Sequence, residues 1–277
     1  MKNKICLITG GNSGIGKAAA TQLAIKGASV VILSRSKERG EQAVKDIISL
    51  SGNTNIDLLV ADLASQKSVR NAVQEFKSKY NSLHVLINNA AVFLPNRTET
   101  EEGIESTFAI NYLSHFLLTD LLIDLLKSSA PSRIINVASK HSGITINYDD
   151  LMMTKKYSVI KAVGPTKLAL VLFTKELAKR LDGSGVTVNS LHPGIVKSNL
   201  LNNMPWVLRK VSNLFSVSPE KGAETTVYLA ASKDVEGVSG GFFVNCKRVK
   251  TTAIADDESL ALKLWNKSME LIGKPNV

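Results

Sequence analysis

The sequence has 277 residues, of which 44% are hydrophobic and 21% are charged, and its net charge at pH 7 is +10. This composition is typical of a globular chain with a large core, and it excludes a disordered or collagen-like protein. The positive charge attracts small anionic molecules. The lysines are dispersed and form no cluster with aromatic residues, so we expect no nucleic-acid partner.

The two cysteines, Cys6 and Cys246, give neither a disulfide framework nor a metal-binding spacing, which favours a reducing compartment. The first residues, "MKNKICLITGG", enter a strand pattern at once, so we expect no signal peptide. The longest apolar run, "FLLTDLLIDLL", is interrupted by Asp120 and Asp124, so we expect a buried helix and no membrane span. We therefore expect a cytoplasmic protein.

Short apolar segments alternate with longer helical patterns along the chain. Strands are predicted at residues 5–9, 29–34, 57–61, 84–88, 133–139, 185–191 and 240–245. Helices are predicted at 14–26, 37–50, 66–79 and 219–231, with further helices ending near residues 127, 181 and 273. Strands that are apolar along their whole length are buried on both faces, as in a parallel sheet covered by helices. The pattern predicts one doubly wound α/β domain over residues 1–277, with about seven strands.

A glycine-rich loop, "TGGNSGIG" at residues 9–16, follows the first predicted strand and opens the first predicted helix. Gly10 permits a tight turn, whereas Gly14 and Gly16 let the helix approach the sheet and a pyrophosphate closely. The helix N-terminus itself favours an anion. This context predicts a dinucleotide site.

The end of the second strand is expected to select the nucleotide. A carboxylate there binds the ribose 2′-hydroxyl of NAD, but this strand ends with Ser34 and Arg35. Arg35 is able to bind a 2′-phosphate, with Lys17 or Lys37 as additional cations. We therefore predict NADP(H) as the cofactor.

These features, together with several later motifs, resemble the short-chain dehydrogenase/reductase family. Within that family, the sequence is similar to those of retinol dehydrogenases and related NADPH carbonyl reductases. The resemblance spans essentially the whole chain. It rests on the glycine loop, "ADL" at 61–63, "NNAA" at 88–91 and "HPGIVKSNL" at 192–200. The cofactor contacts that it implies are Gly10, Asn12, Ser13, Gly14, Ile15, Gly16, Arg35, Asp62, Leu63, Asn89, Ala90, Lys167, Pro193, Gly194, Ile195 and Ser198.

The resemblance also implies a catalytic set of Asn111, Ser139 and Lys167. In this family a tyrosine four residues before the lysine exchanges a proton with the substrate oxygen, which is general acid–base catalysis. Here Val163 occupies that position, and valine has no proton to give.

Pro165 follows two residues later, and proline inside a helix costs roughly 3 kcal/mol. We therefore expect this helix to begin near Gly164, with Pro165 in its first turn and Val163 off the helix. Candidate substitute acids are His141, Tyr157, Tyr148, or Ser139 acting with a water molecule. Histidine titrates in the useful range, which favours His141.

Three functions remain open at this point: redox chemistry with a substitute proton donor, a non-redox step such as elimination, isomerisation or cyclisation, and a silent cofactor-binding protein. We expect a small lipophilic substrate. The sequence leaves open whether the protein forms a homodimer. Residues 194–218 are predicted to form a substrate lid, or else to pack on the body or at a subunit interface. Within them, Met204, Trp206, Val207 and Leu208 offer an apolar wall.

Overall fold

The structure is a computed structural model that describes residues 1–194, 196 and 217–275. Its centre is a sheet with the strand order β3-β2-β1-β4-β5-β6-β7-β8. The strands are β1 Ile5–Thr9, β2 Ser29–Ser34, β3 Ile56–Val60, β4 Val85–Asn88, β5 Ser132–Val137, β6 Val186–His192, β7 Phe242–Val244 and β8 Lys247–Val249. All neighbouring strands are parallel except β7 and β8. The predicted doubly wound α/β fold is confirmed.

Helices cover both faces of this sheet and bury the two hydrophobic clusters beneath them. The helices are α1 Gly14–Ile25, α2 Lys37–Ser51, α3 Gln66–Lys79, α4 Ser106–Phe108, α5 Ser114–Ser128, α6 Val159–Arg180, α7 Pro219–Ala231 and α8 Glu258–Leu271. A single π-helical turn, Ala109–Leu113, joins α4 to α5.

The eighth strand was absent from the sequence prediction. Lys247–Val249 pairs antiparallel with β7 at the edge of the sheet, and all three of its residues are exposed. A short strand with two basic residues and no buried face carries no hydrophobic alternation, so no periodicity signals it.

The predicted start of α6 near Gly164 is wrong. The helix begins at Val159, where the side chain of Ser158 caps it by accepting a hydrogen bond from the Lys161 amide at 3.3 Å. Pro165 therefore lies inside the helix, and Val163 lies on it. Burial of the long apolar face of α6 in the core offsets the local cost of the proline.

The segment Ser106–Ser128 is long and apolar enough to cross a membrane, and 72% of the relevant stretch is buried inside the fold. In this structure it packs within the main hydrophobic cluster, where Tyr112 and Phe116 are almost fully enclosed. Its apolar character is thus used in covering the sheet.

The interior proline predicts a specific gain of stability. Pro165→Ala restores an amide that can donate to the Lys161 carbonyl, and the loss of proline's restriction on the unfolded chain offsets part of that gain. We expect the free energy of unfolding in urea to rise by about 1–2 kcal/mol. Pro219→Ala is the matched control, because Pro219 occupies the first turn of α7, where proline is well tolerated. An unchanged or lower stability of Pro165→Ala would show that the proline does not destabilise α6.

Candidate active site

A cavity of about 550 Å³ opens at the carboxyl edge of the sheet, where the segments after β1, β4, β5 and β6 meet α6. It lies at the point where the strand order reverses between β1 and β4, the usual ligand position in a doubly wound sheet. The predicted site residues that line it are Gly10, Asn12, Ser13, Gly14, Ile15, Gly16, Asn89, Ala90, Ser139, Val163, Lys167, Pro193 and Gly194.

The glycine loop has the backbone of an anion cradle. Gly10 has a φ of +65°, which favours glycine. A Cβ atom on Gly16 would lie 2.3 Å from the Gly10 carbonyl oxygen, so no larger residue fits there. Ser13 begins α1 without a side-chain cap within the described chain, so the first amides of the helix point to the cavity uncapped. These residues fit the pyrophosphate of a dinucleotide.

The hydroxyl of Thr9 joins the loops on either side of this cradle. Its Oγ1 atom accepts hydrogen bonds from the amides of Asn89 at 2.8 Å and Ala90 at 3.0 Å. The Asn89 side chain donates back to the Thr9 carbonyl at 2.8 Å. Behind it, His115 Nε2 lies 3.1 Å from the same hydroxyl, and burial lowers the pKa of His115 to about 3. His115 is therefore neutral at physiological pH. Sequence reasoning missed both Thr9 and His115.

A second buried polar chain crosses the sheet beneath the cavity. Asn88 Nδ2 donates to Asn136 Oδ1 at 2.8 Å and lies 3.1 Å from the Thr119 hydroxyl. Asn136 in turn donates to the Thr174 hydroxyl at 2.9 Å. These hydrogen bonds connect α5, β4, β5 and α6, and thereby fix α6 relative to the strands that precede Asn89 and Ser139.

Val163 and Lys167 lie one helical turn apart on α6, and both are buried and line the cavity. The Lys167 ammonium donates to the Val137 carbonyl at 2.9 Å. Burial lowers the pKa of Lys167 to about 8, because a charge in a low-dielectric environment is disfavoured. The position that would hold the tyrosine thus faces the cavity with an apolar side chain.

Ser139 follows β5 and lies at the cavity wall. Its Oγ atom is 3.4 Å from Nδ1 of His192, which ends β6. Burial, with a smaller contribution from Lys140, lowers the pKa of His192 to about 4, so this imidazole is neutral near pH 7. A neutral imidazole behind Ser139 restricts the orientation of its hydroxyl group.

Asn111 lies in the middle of the π-helical turn and is completely buried. Its Oδ1 accepts from the Val92 amide at 2.7 Å, and its Nδ2 donates to the Val92 carbonyl at 3.0 Å. The side chain therefore holds the segment after β4. Asn111 is not among the described residues that line the cavity.

Of the four candidate substitute acids, Ser139 lines the cavity and the other three lie elsewhere. His141 packs edge-on against Phe242, with its nitrogens near the Ser139 carbonyl and the Thr252 amide. The hydroxyl of Tyr157 donates to the Leu94 carbonyl, and that of Tyr148 donates to the Leu260 carbonyl. None of the three is among the described residues that line the cavity.

Arg35, Asp62 and Leu63 follow β2 and β3 at the same edge of the sheet. Arg35 is exposed, and among the described residues no carboxylate forms an ion pair with it. Lys17 forms an ion pair with Asp46, and Lys37 lies 3.9 Å from Glu41. Asp62 accepts from the Ala64 amide and so shapes the turn after β3.

Two predicted cofactor contacts, Ile195 and Ser198, lie outside the described residues, as does most of the predicted lid at 194–218. Of that lid, Gly194, Val196, Val217 and Ser218 are described. Val196 pairs with Val217 in an isolated bridge at the border of the cavity.

The fold and the glycine cradle at the switch point define a dinucleotide-binding α/β protein. The chain belongs to the short chain dehydrogenase family, whose sequence profile matches residues 4–206.

Individual proteins are similar over nearly the full chain. Retinol dehydrogenase 14 of Mus musculus is 46% identical, over 99% of this chain and 87% of its own. Among solved structures, an uncharacterized protein from Mycobacterium Paratuberculosis is 29% identical with a TM-score of 0.80, covering 100% of this chain and 96% of that one. A Pseudomonas aeruginosa RhlG/NADP active-site complex is 28% identical with a TM-score of 0.72, covering 88% and 94%. These relatives support a nicotinamide cofactor.

The Thr9 hydroxyl predicts a coupled loss of stability and cofactor affinity. Thr9→Val keeps the shape but leaves two amides without their acceptor, which costs about 1–3 kcal/mol. We expect a lower free energy of unfolding in urea and weaker binding in an NADPH fluorescence titration. Thr21→Val is the control, because that hydroxyl only donates to the helical carbonyl of Lys17. Equal effects of the two substitutions would rule out a special role for Thr9.

Proposed function

We propose that this protein is an NADP(H)-dependent oxidoreductase that reduces a carbonyl, or oxidises an alcohol, of a lipophilic substrate. The observation that carries the proposal is that one cavity brings together the glycine cradle, Ser139 and Lys167. When bound, the nicotinamide cofactor supplies or accepts the hydride. Ser139 holds the substrate oxygen by a hydrogen bond, and Lys167 supplies a positive charge beside it.

The end of β2 supports the preference for NADP(H). Ser34 is buried, and its hydroxyl donates to the Ser36 carbonyl, so it presents no carboxylate to a ribose. Arg35 is exposed, which leaves its guanidinium group able to bind a 2′-phosphate in the manner typical of arginine. Lys17 is engaged with Asp46, so Arg35 is the main determinant.

The lining of the cavity supports a lipophilic substrate. Besides the glycine loop and Ser139, the cavity is lined by the apolar side chains of Phe93, Ile144, Val163 and Val196. Burial of an apolar substrate against them contributes about 25 cal/mol for each Å² removed from water. The retinol dehydrogenase relatives act, by their names, on an apolar alcohol, which agrees with this assignment.

We also propose that the chain acts without crossing a membrane. The apolar segment Ser106–Ser128 is largely buried against the rest of the fold. Exposing it to lipid would dismantle the core that positions Asn111 and the cavity.

Cofactor selectivity tests the role of Arg35. One charge-assisted hydrogen bond contributes about 1.5–3 kcal/mol, so we expect NADPH to bind at least about tenfold more tightly than NADH. Arg35→Asp should narrow or reverse this ratio in fluorescence titrations. Lys26→Asp, which makes the same charge change at an exposed residue at the end of α1, should leave the ratio unchanged. Equal affinity of the unmodified protein for both cofactors would refute the preference.

Restoring the tyrosine tests the assignment of the reaction. Val163 already faces the cavity from within α6, so Val163→Tyr alone should place a phenol beside the substrate oxygen. We expect NADPH-dependent reduction of a generic aldehyde to rise by at least about tenfold, since a positioned general acid contributes about 10²–10⁴-fold.

Val163→Phe is the matched control, because it fills the same space without a hydroxyl group and should give no rise. If Val163→Tyr binds NADPH but reduces no carbonyl, the oxidoreductase assignment is wrong, and a non-redox step or a silent cofactor-binding protein becomes the better account.

A further inference from the structure

The amine of Lys167 is a buried cation with donor capacity to spare. Lys167 lines the cavity, and its amine donates a hydrogen bond to the Val137 carbonyl at 2.9 Å, which engages one of its three N–H groups. On the preceding turn, the short side chain of Val163 also faces the cavity. No phenol therefore stands between this amine and a substrate carbonyl.

No carboxylate lines the cavity within the described part of the chain. The titratable groups that face this region are His115 from α5, Lys140 from the segment after β5, and His192 from the end of β6. His115 and His192 are held neutral by burial, and Lys140 is a second cation. Nothing among these groups neutralises the Lys167 ammonium by pairing, and none is a better acid at neutral pH.

We propose that Lys167 is the terminal proton donor of the reaction, acting through one water molecule that replaces the missing phenol and is also hydrogen-bonded to Ser139. This assignment rests on the proposed oxidoreductase function. It makes the lysine itself the acid that supplies the proton, in place of a supporting role beside a tyrosine.

When bound, the reduced nicotinamide would supply the hydride for the new C–H bond as the carbonyl π bond breaks, and it would be the group that is oxidised. The carbonyl oxygen takes a proton from the water molecule, which in turn takes one from the Lys167 ammonium. Lys167 is left as a neutral amine and recovers its proton from solvent. In alcohol oxidation the same protons move in reverse, and the neutral amine acts as the base.

The burial of Lys167 supports this role. Its pKa, lowered to about 8, lies near physiological pH, where a general acid–base catalyst is most effective. Serine has no comparable acidity, so Ser139 orients the oxygen but does not supply the net proton. His141 packs against Phe242 outside the described cavity lining.

The pH dependence of kcat tests the inference. Lys167 is protonated below its pKa, so carbonyl reduction should be constant at low pH and fall about tenfold per unit above pH 8. Alcohol oxidation should instead rise through the same pKa. Lys167→Arg keeps the charge but does not titrate. It should lower kcat by about 10²-fold or more and abolish the decrease in kcat above pH 8. Lys175 is on the same helix but is paired with Asp256, so Lys175→Arg should keep the decrease in kcat above pH 8.

A second readout needs no cofactor. In the protein labelled with ¹³C at lysine, one side-chain resonance should titrate near pH 8 and be missing from Lys167→Arg. A Lys167 resonance that titrates near the ordinary lysine value of about 10.4 would overturn the inference. The inference would also be overturned if Lys167→Arg still reduced carbonyls and its kcat still decreased above pH 8. If NADPH binds to the unmodified protein but no carbonyl or alcohol is converted at any pH, the proposed function fails instead.

Discussion

The cofactor cleft depends on one hydroxyl group at the point where the sheet changes direction. Thr9 ends β1, and its oxygen accepts both amides at the end of β4, so the two loops that border the cradle keep a fixed separation. Parallel strands alone fix their hydrogen-bonded registers but not the loops beyond them. Because His115 contacts the same oxygen from the core, the geometry of the glycine loop is tied to the packing of α5. The conformation of the cleft is therefore a property of the core as well as of the loop.

The chain has the fold of its family but carries Val163 where the family resemblance implies a tyrosine. Lys167 is nevertheless buried, and no carboxylate is among the described residues that line its cavity. A buried ammonium is costly unless something compensates for its desolvation. Its retention beside an apolar wall indicates that the charge serves the site more than it serves stability. The polar chain through Asn88 and Asn136 holds α6 in the position that this charge requires.

Most of the fold could be predicted because each central strand is apolar along its length and each glycine-loop residue has a local signature. What failed depended on tertiary context. Pro165 taken alone predicts that α6 begins near Gly164, but Ser158 caps the helix earlier. Burial of the apolar face of α6 outweighs the local energetic cost of the proline. Ser139, Val163 and Lys167, which the family resemblance assigned to the site, line one cavity, and their roles stay predictions. The resemblance could not show that His141 turns towards Phe242, or that Thr9 and His115 meet, because those contacts join distant segments.

The contacts of α8 have a consequence for the order in which the fold forms. Ser268 bonds the Tyr112 hydroxyl at 2.8 Å beside the π-helical turn, and the Leu260 carbonyl accepts from Tyr148 in the segment before α6. Gln66 and Arg70 on α3 also bond to carbonyls at its end. These contacts join α8 to residues that lie 112 to 205 positions earlier in the chain. Contacts between segments so far apart form late in folding, because closing a long loop costs conformational entropy before the contact forms. The surroundings of Asn111 and α6 are therefore completed only in the last steps of folding.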